Sequence, residues 1–235
     1  MLRQDSILKI EELRNNIIKS CSKCKGLGYI IDRKNNTWDN CSCIVEFQIQ
    51  RKILENIPPA YHKLELEDFK NKKDKAYQNT IACIQNLDKC RKDGIWVYYQ
   101  GSGNTGKTLL AVAILKSAIR KGYSVMFCTI TDLVNGVGDE EFRQEFSLTD
   151  FLIIDSLDLI FKGSTGSQDK ISTILESMLR DKALNNTVCI FTSRYSTKKL
   201  REEERLSEKV CDLIEGKVAP ITIEDSGYKK IIGGE

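Results

Sequence analysis

The stretch that decides the fold is Gly101-Ser102-Gly103-Asn104-Thr105-Gly106-Lys107-Thr108. Its glycines, followed by a lysine and a threonine, have the spacing of a Walker A phosphate-binding loop. Apolar residues before it predict a strand over 95–100, and the pattern after it predicts a helix over 107–121. In this context the loop directs backbone N–H groups and the helix N-terminus at a phosphate group. The sequence therefore predicts that these eight residues bind the phosphates of ATP.

Lys107 and Thr108 of the loop are expected to bind phosphate and magnesium, and an acid outside the loop should also bind the metal. Lys107 is expected to reach the β- and γ-phosphates, and Thr108 is expected to ligate magnesium. A second buried strand is predicted at Phe151-Leu152-Ile153-Ile154-Asp155, which runs from four apolar residues into an acid. We expect Asp155 to hold Mg²⁺ together with Thr108, as a Walker B acid does.

The residue after Asp155 departs from the pattern of an efficient ATPase. Ser156 stands where such enzymes usually carry a Glu or Asp that polarises the attacking water. A serine hydroxyl is a far poorer base than a carboxylate. Asp158 could replace that acid only if the chain bends at the end of the strand.

Helices and strands are predicted to alternate from Asp68 onward, which indicates an α/β fold with a parallel sheet flanked by helices. The predicted helices cover 75–92, 107–121, 169–181 and 197–215. The predicted strands cover 95–100, 124–130, 151–155, 187–192 and 219–224. The strand over 187–192 brings Thr192, Ser193 and Arg194 to the carboxyl edge of the sheet, where ligand sites form. Arg194 is thus either a sensor of the γ-phosphate or an ordinary surface arginine.

Four of the nine cysteines are clustered near the N-terminus, at Cys21, Cys24, Cys41 and Cys43. Two closely spaced pairs of this kind can surround Zn²⁺ tetrahedrally at a Zn–S distance of about 2.3 Å, as in a closed structural site. Reduced cysteines at a fortuitous spacing, or a redox pair, are the alternatives. We expect Tyr29 and Trp38 to cover this cysteine module.

Length and composition restrict the class of protein. A chain of 235 residues with 41% hydrophobic residues can form one main domain and a small accessory module. A net charge of +3 is too small to indicate nucleic-acid binding by itself. The sequence contains neither the roughly 20 apolar residues that cross a bilayer nor a signal-like N-terminus. We therefore expect a cytoplasmic protein that does not bind a membrane.

The domain boundary is predicted at Pro58-Pro59, which ends a helix over 44–56. An amphipathic helix is expected within 1–20, which either packs on its own protein or docks on a partner. We divide the chain into a helix and zinc module over 1–56, a connector over 57–68 and an ATPase domain over 69–235.

Contacts with single-stranded DNA require basic residues beside aromatic rings. The segment between Asp132 and Phe146 is our preferred candidate, and Phe142 and Arg143 together with Phe146 are its aromatic and basic residues. Lys162 with Lys170 also qualifies loosely. Each of these groups is equally compatible with core or with solvated surface.

Taken together, these features resemble the helicase-loader family of AAA+ ATPases that includes DnaC, DnaI and phage loaders, with the IstB transposition ATPases as close relatives. Besides the Walker A loop and the cysteines, the resemblance depends on five segments: Cys24-Lys25-Gly26-Leu27-Gly28-Tyr29, Ile57-Pro58-Pro59-Ala60-Tyr61 leading into Leu66-Glu67-Asp68-Phe69, Thr131-Asp132-Leu133, Leu152 to Asp155, and Phe191-Thr192-Ser193. The resemblance implies that residues 1–56 bind a hexameric DnaB-type replicative helicase. It also implies that the ATPase domains self-associate and contact single-stranded DNA.

Three positions depart from the pattern of that family. Ser156 replaces the acid after Walker B, Arg194 replaces the usual sensor asparagine, and Lys209 lies about where the family has its arginine finger. Lysine lacks the planar fork that suits a γ-phosphate, and Arg205 is an alternative residue for that role in trans. The candidate catalytic residues are therefore Lys107, Asp155, Arg194, Arg205 and Lys209. We predict firm binding of ATP and Mg²⁺ with slow hydrolysis.

Three functions remain open on this sequence. The first is an ATP-dependent loader that opens or holds a ring helicase on single-stranded DNA. The second is an IstB-like transposition helper that polymerises on double-stranded DNA and recruits a transposase. The third is a hydrolysis-defective adaptor of the replisome, whose nucleotide stabilises one conformation.

Overall fold

The computed structural model describes residues 4–32, 34–160, 165–218 and 221–223, with the backbone alone for 4–6 and 165–171. Two compact units divide the chain, Met1–His62 and Lys63–Glu235. The side chains of Lys162 and Lys170, and most of the strand predicted over 219–224, lie outside the described residues. Within the described part, no helix is long and apolar enough to cross a membrane.

The first unit consists of helices and one hairpin. Helix α1 (Gln4–Arg14) continues into a π-helical turn (Asn15–Lys19), and α2 spans Ser42–Asn56. Between them, β1 (Tyr29–Asp32) pairs antiparallel with β2 (Thr37–Asn40). This hairpin was not predicted from the sequence, because strands of four residues are too short to show a clear alternation.

The second unit is a parallel five-stranded sheet flanked by helices, and the predicted α/β class is confirmed. Its strands are β3 (Trp96–Gln100), β4 (Val125–Thr129), β5 (Phe151–Asp155), β6 (Val188–Ser193) and β7 (Ile221–Thr222), in the spatial order β4-β5-β6-β3-β7. Its helices are α3 (Lys75–Gln85), α4 (Leu87–Asp93), α5 (Lys107–Lys121), α6 (Ile130–Gly136), α7 (Glu140–Leu148), α8 (Thr165–Leu184), α9 (Thr197–Glu202) and α10 (Glu208–Glu215).

Two long predicted helices are each divided in the structure. The helix predicted over 75–92 breaks at Asn86, whose side-chain amide donates a hydrogen bond to the carbonyl of Ala82. The helix predicted over 197–215 ends at Glu202, and a new helix begins after Ser207, whose hydroxyl accepts from the N–H of Val210. Short polar side chains compete with helical hydrogen bonds in this way, and helical periodicity alone does not reveal the break.

Helices α6 and α7 were also missed from the sequence. A capping box begins α6, because the Thr129 hydroxyl accepts from the N–H of Asp132 while the Asp132 carboxylate accepts from the N–H of Thr129. The carboxylate of Asp139 caps α7. These caps are recognisable signals of a helix start.

The core of the second unit lies on both faces of the sheet. The four inner residues of β5 are fully buried, and α5 is buried along most of its length against the sheet. A strand that is covered on both faces reads as a continuous apolar run, as Phe151 to Ile154 does. This packing brings the carboxyl ends of β3, β5 and β6 to one edge, where the phosphate-binding loop begins.

Candidate nucleotide site and cysteine cluster

The phosphate-binding loop connects β3 to α5 in a conformation that requires glycine. Gly101 has a φ of 152°, and a Cβ atom there would lie 2.5 Å from the carbonyl oxygen of Ile223. Gly106 has a φ of 91° and stands at the N-cap of α5. Non-glycine residues rarely adopt such values. The backbone can therefore curl tightly between the sheet and the helix.

The Lys107 side chain folds back against the phosphate-binding loop. Its ammonium donates hydrogen bonds to the carbonyls of Gly101 (2.9 Å) and Ser102 (2.6 Å). The whole residue is buried, with 8% of its surface exposed. Burial lowers the pKa of Lys107, while the nearby carboxylates of Asp155 and Asp158 act in the opposite direction. The amine thus occupies a confined position among carbonyl oxygens at the start of α5.

The loop fits a phosphate group. In the described ranges, the backbone N–H groups of Gly103, Asn104 and Gly106 donate no hydrogen bond to the protein. Unpaired donors at a helix N-terminus, beside a lysine ammonium, form an anion-binding cradle. The residues present are therefore those that would hold the phosphates of ATP.

Thr108 and Asp155, the two residues that the sequence predicts to hold magnesium, lie within hydrogen-bond distance of each other. The Thr108 hydroxyl donates to Oδ1 of Asp155 at 2.8 Å, and the Thr192 hydroxyl donates to the same oxygen at 2.7 Å. A hydroxyl and a carboxylate from neighbouring elements are ligands that suit Mg²⁺. Thr192 adds a second donor that orients the carboxylate, a contact that sequence analysis did not anticipate.

Ser156 does not provide a base at this edge. It has a φ of 57°, in the left-handed region, and its hydroxyl donates to Oδ2 of Asp155 at 3.0 Å. Its N–H donates to the Thr192 hydroxyl at 2.9 Å. The serine therefore serves to hold Asp155, and the left-handed turn changes the direction of the chain after the strand.

Asp158 lies at the site because of this turn. The short helical turn Leu157–Leu159 follows Ser156, and Asp158 within it is 2% exposed. Its Oδ1 accepts from the N–H of Arg194 at 2.8 Å, and its Oδ2 accepts from Nε of Arg194 at 2.6 Å. Burial by itself raises the pKa of Asp158, but these bonds outweigh burial and leave that pKa below its ordinary value. Sequence analysis missed the pair, although both charges directly follow predicted buried strands.

The two candidates for a role in trans differ in their surroundings. Arg205 bonds within its own unit, because it donates to the carbonyl of Asp158 at 2.9 Å and pairs with Glu203 at 2.6 Å. Its guanidinium also lies 5.7 Å from the ring centre of Tyr195. Lys209 is exposed in the first turn of α10. Their predicted action across a subunit interface stays a prediction.

The aromatic residues proposed for DNA contact belong largely to the core. Phe146 is 3% exposed, and Phe142 stacks on it with ring centres 6.2 Å apart. The interpretation of Phe146 as a stacking platform is wrong, because a buried ring cannot receive a base. Arg143 is exposed on the same helix. Contact of the segment 132–146 with DNA otherwise stays a prediction.

The four clustered cysteines converge in space. Their ligand atoms all lie within 4.8 Å of one another, with Sγ–Sγ distances of 3.8 Å for Cys21–Cys41 and 3.5 Å for Cys24–Cys43. Distances of this size are expected for thiolates that surround one ion at about 2.3 Å. A hydrogen bond from the backbone N–H of Cys24 lowers the pKa of Cys21 to about 6, whereas burial raises the pKa of Cys43 to about 12. The cluster thus offers the donor set of a structural zinc site.

Tyr29 and Trp38 do not cover the cysteine cluster as expected. Trp38 is 68% exposed, and the two rings meet edge to face at 6.4 Å. The buried residues at the cluster are instead Ile18 and three of the cysteines, Cys24, Cys41 and Cys43, and the partly buried Cys21, Ile44 and Phe47 pack against them. In the described part of the chain all eight strand residues of the hairpin are exposed, so both aromatic rings face solvent.

The parallel sheet, the loop before α5 and the acid that ends β5 are together the features of a P-loop protein with a candidate nucleotide site. The family described as IstB-like ATP binding protein matches residues 44–202, which is more than half of the chain. The chain therefore belongs to the IstB-like ATP-binding protein family. No curated protein matches the sequence significantly.

Solved structures with a similar fold include a helicase loader and a replication initiator. The crystal structure of the DnaC helicase loader has a TM-score of 0.57 at 21% identity, covering 71% of this chain and 99% of that one. The crystal structure of DnaI has a TM-score of 0.56 at 18% identity, covering 71% and 91%. AMPPCP-bound DnaA from Aquifex aeolicus has a TM-score of 0.57 at 22% identity, covering 72% of this chain and 51%, about half, of that one. The predicted resemblance to DnaC/DnaI-type and IstB-like proteins is confirmed; membership is shown for the IstB-like family, and the solved structures at these identities show a shared fold.

Proposed function

We propose that this protein is an ATP-dependent loader that places a hexameric DnaB-type replicative helicase on single-stranded DNA. In this proposal residues 1–56 bind the helicase, and the domain over 69–235 binds ATP and Mg²⁺ and self-associates. Residues 57–68 connect the two parts.

The observation that carries the proposal is the asymmetry of the nucleotide site. The binding side has the loop, Lys107 and the Thr108–Asp155 pair. The side that should activate water has no free carboxylate at positions 156 or 158, because Ser156 bonds to Asp155 and both oxygens of Asp158 accept from Arg194. A carboxylate with a lowered pKa and two donors is a weak base. Such a site suits a protein whose assembly depends on bound ATP and whose turnover is slow.

An exposed apolar face supports a protein partner for the first unit. Ile31 lies directly opposite Trp38 in the hairpin, and Tyr29 is two residues away on the same face. Trp38, Ile31 and Tyr29 are 68%, 53% and 39% exposed. Large exposed apolar side chains on one face are typical of an interaction surface. We assign the helicase to this face.

Similarity to other replication proteins also supports the proposal. DnaC is a helicase loader, and its solved chain is covered almost completely by this one. A structure of the replication initiator DnaA, also similar in fold, contains AMPPCP and single-stranded DNA. We therefore propose a helicase and single-stranded DNA as partners of this chain. The proposal combines this similarity with the asymmetric nucleotide site and the exposed apolar face of the hairpin.

The direct test is the mass of a complex with the replicative helicase of the host. Light scattering after gel filtration, with a non-hydrolysable ATP analogue, with ADP and without nucleotide, should show a complex that the analogue stabilises. Trp38→Ser should weaken that complex. The matched control is Leu148→Ser, because Leu148 is 71% exposed but lies in the second unit. Absence of a complex in all three states overturns the proposal.

Membership in the IstB-like family favours a transposition helper as the second candidate. A helper of this kind should form filaments on double-stranded DNA in the presence of ATP and bind a transposase. Electron microscopy with double-stranded and single-stranded DNA separates it from the loader. A neighbouring transposase gene favours the helper, and a neighbouring helicase or primase gene favours the loader.

The turnover rate separates both from a replisome adaptor. Complex formation that requires ATP, together with undetectable hydrolysis with or without single-stranded DNA, would assign the protein to that third class. Brisk turnover that Asp158→Ala abolishes would show that the slow-hydrolysis part of the proposal is wrong.

A further inference from the structure

The ion pair between Asp158 and Arg194 is built more rigidly than a surface salt bridge. The Asp158 side chain is 3% exposed, and it accepts hydrogen bonds from both the backbone N–H and Nε of Arg194. The main chain of Asp158 is also held, because its carbonyl accepts from Arg205 at 2.9 Å. A buried carboxylate with two charge-assisted bonds to one residue fixes that residue in place.

The same contacts leave one end of Arg194 available. Nε is occupied by Asp158, whereas the two terminal nitrogens of the guanidinium donate to none of the described residues. The arginine side chain is 51% exposed. A guanidinium that is anchored through Nε presents a planar pair of donors to an anion, which is the geometry that phosphate oxygens prefer.

The pair stands beside the phosphate-binding loop. Asp158 follows β5 and Arg194 follows β6, at the edge where Asp155 meets Thr108. The charges of Asp158 and Arg194 both influence the pKa of Lys107, in opposite directions. The three charged groups therefore lie at the same edge of the sheet as the candidate nucleotide site.

We propose that Asp158 is a positioning residue, which holds Arg194 so that its terminal nitrogens bind the γ-phosphate of ATP. This inference depends on the proposed ATP site. Asp158 then acts through Arg194 alone and transfers no proton. The pair would make the affinity for ATP exceed the affinity for ADP, because only ATP offers the terminal phosphate.

Equilibrium binding of ADP and of a non-hydrolysable ATP analogue, both with Mg²⁺, tests this inference. Arg194→Ala should reduce the preference for the ATP analogue roughly ten- to hundredfold while ADP affinity changes little. Asp158→Asn, which keeps the shape but removes the charge, should reduce the preference in the same direction. In the double variant, Asp158→Asn should add no further loss, because the aspartate has no other route to the phosphate.

The outcomes separate positioning from a structural role. An unchanged preference in Arg194→Ala, or an equal loss of ADP and ATP affinity in Asp158→Asn, overturns the inference, because a merely structural pair would not distinguish the nucleotides. Additive losses in the double variant overturn it too. Failure of the wild-type protein to bind either nucleotide would instead contradict the proposed function.

Discussion

The hydroxyl of Thr108 at the start of α5 donates a 2.8 Å hydrogen bond to Oδ1 of Asp155 at the end of β5. Two residues from different elements thereby form one oxygen-rich corner beside the phosphate-binding loop. The corner is already assembled by protein contacts, because Thr192 and Ser156 also donate to the same carboxylate.

Asp155→Asn should weaken magnesium-dependent ATP binding by about tenfold or more, because it removes the negative charge that attracts the cation. Calorimetric titration with Mg²⁺–ATP, and with ATP in the presence of a chelator, measures the effect. The metal-free affinity should change little.

Thr192→Ala is the matched control for Asp155→Asn. It removes one hydrogen bond to the same oxygen but leaves the carboxylate charge. If both variants lose magnesium dependence equally, the assignment of Asp155 to the metal is wrong.

Gly101→Ala should lower the free energy of unfolding by about 1–3 kcal/mol, since its Cβ would lie 2.5 Å from the carbonyl oxygen of Ile223 in a backbone region unfavourable for alanine. Gly103→Ala is the control in the same loop, because a Cβ there meets nothing within 4 Å. Urea unfolding of both variants measures the difference. Equal stabilities would contradict the described path of the loop.

Purified protein should contain one zinc ion per chain, and Cys43→Ser should abolish most of it. Zinc binding contributes on the order of 10 kcal/mol to the folding of small zinc modules. If the four cysteines hold zinc, a chelator should therefore unfold the residues around the cluster. Elemental analysis and circular dichroism measure both effects. Cys90→Ser is the control, because Cys90 is buried in the other unit. Retention of full zinc in Cys43→Ser would rule out this site.

Asp150 should stabilise the second unit in a pH-dependent manner. Its carboxylate accepts from Arg91 at 2.7 Å and from the Ser124 hydroxyl at 2.7 Å. Burial by itself raises the pKa of Asp150, but the bonds from Ser124 and Arg91 leave it below the ordinary value of 3.8. A lowered pKa means that the folded state holds the proton less strongly than the unfolded state. The stabilisation is therefore complete above pH 3.8 and is lost as the pH falls through the folded-state pKa.

Thermal unfolding of wild type and Asp150→Asn between neutral and acidic pH checks this prediction. The difference in Tm should be largest near neutrality and should shrink in the acidic range. The chain has two tryptophans, and Trp96 is the one buried in the second unit. Trp38→Phe, introduced into both proteins, makes tryptophan fluorescence report on the unfolding of that unit alone. A difference in Tm that stays constant with pH would contradict the ionic role of Asp150.

Several features of the site could be predicted from the sequence because they depend on short segments. The phosphate-binding loop is a contiguous pattern of glycines, lysine and threonine, and the acid that ends β5 follows a plain apolar run. The cysteine pairs were recognisable from spacing alone. The breaks at Asn86 and before Ser207 were missed, because a single polar side chain decides them against an otherwise helical pattern.

The sequence by itself determined the α/β class, the location of the nucleotide loop and the cysteine set, since each is encoded by residues close together along the chain. Only the tertiary structure decided that Asp158 pairs with Arg194 and that Trp38 faces outward. The first depends on the left-handed turn at Ser156, which places Asp158 beside the residue that follows the neighbouring strand β6. The second depends on the exposure of the hairpin, whose eight strand residues are all exposed, and spacing along a chain does not show which elements pack against a strand.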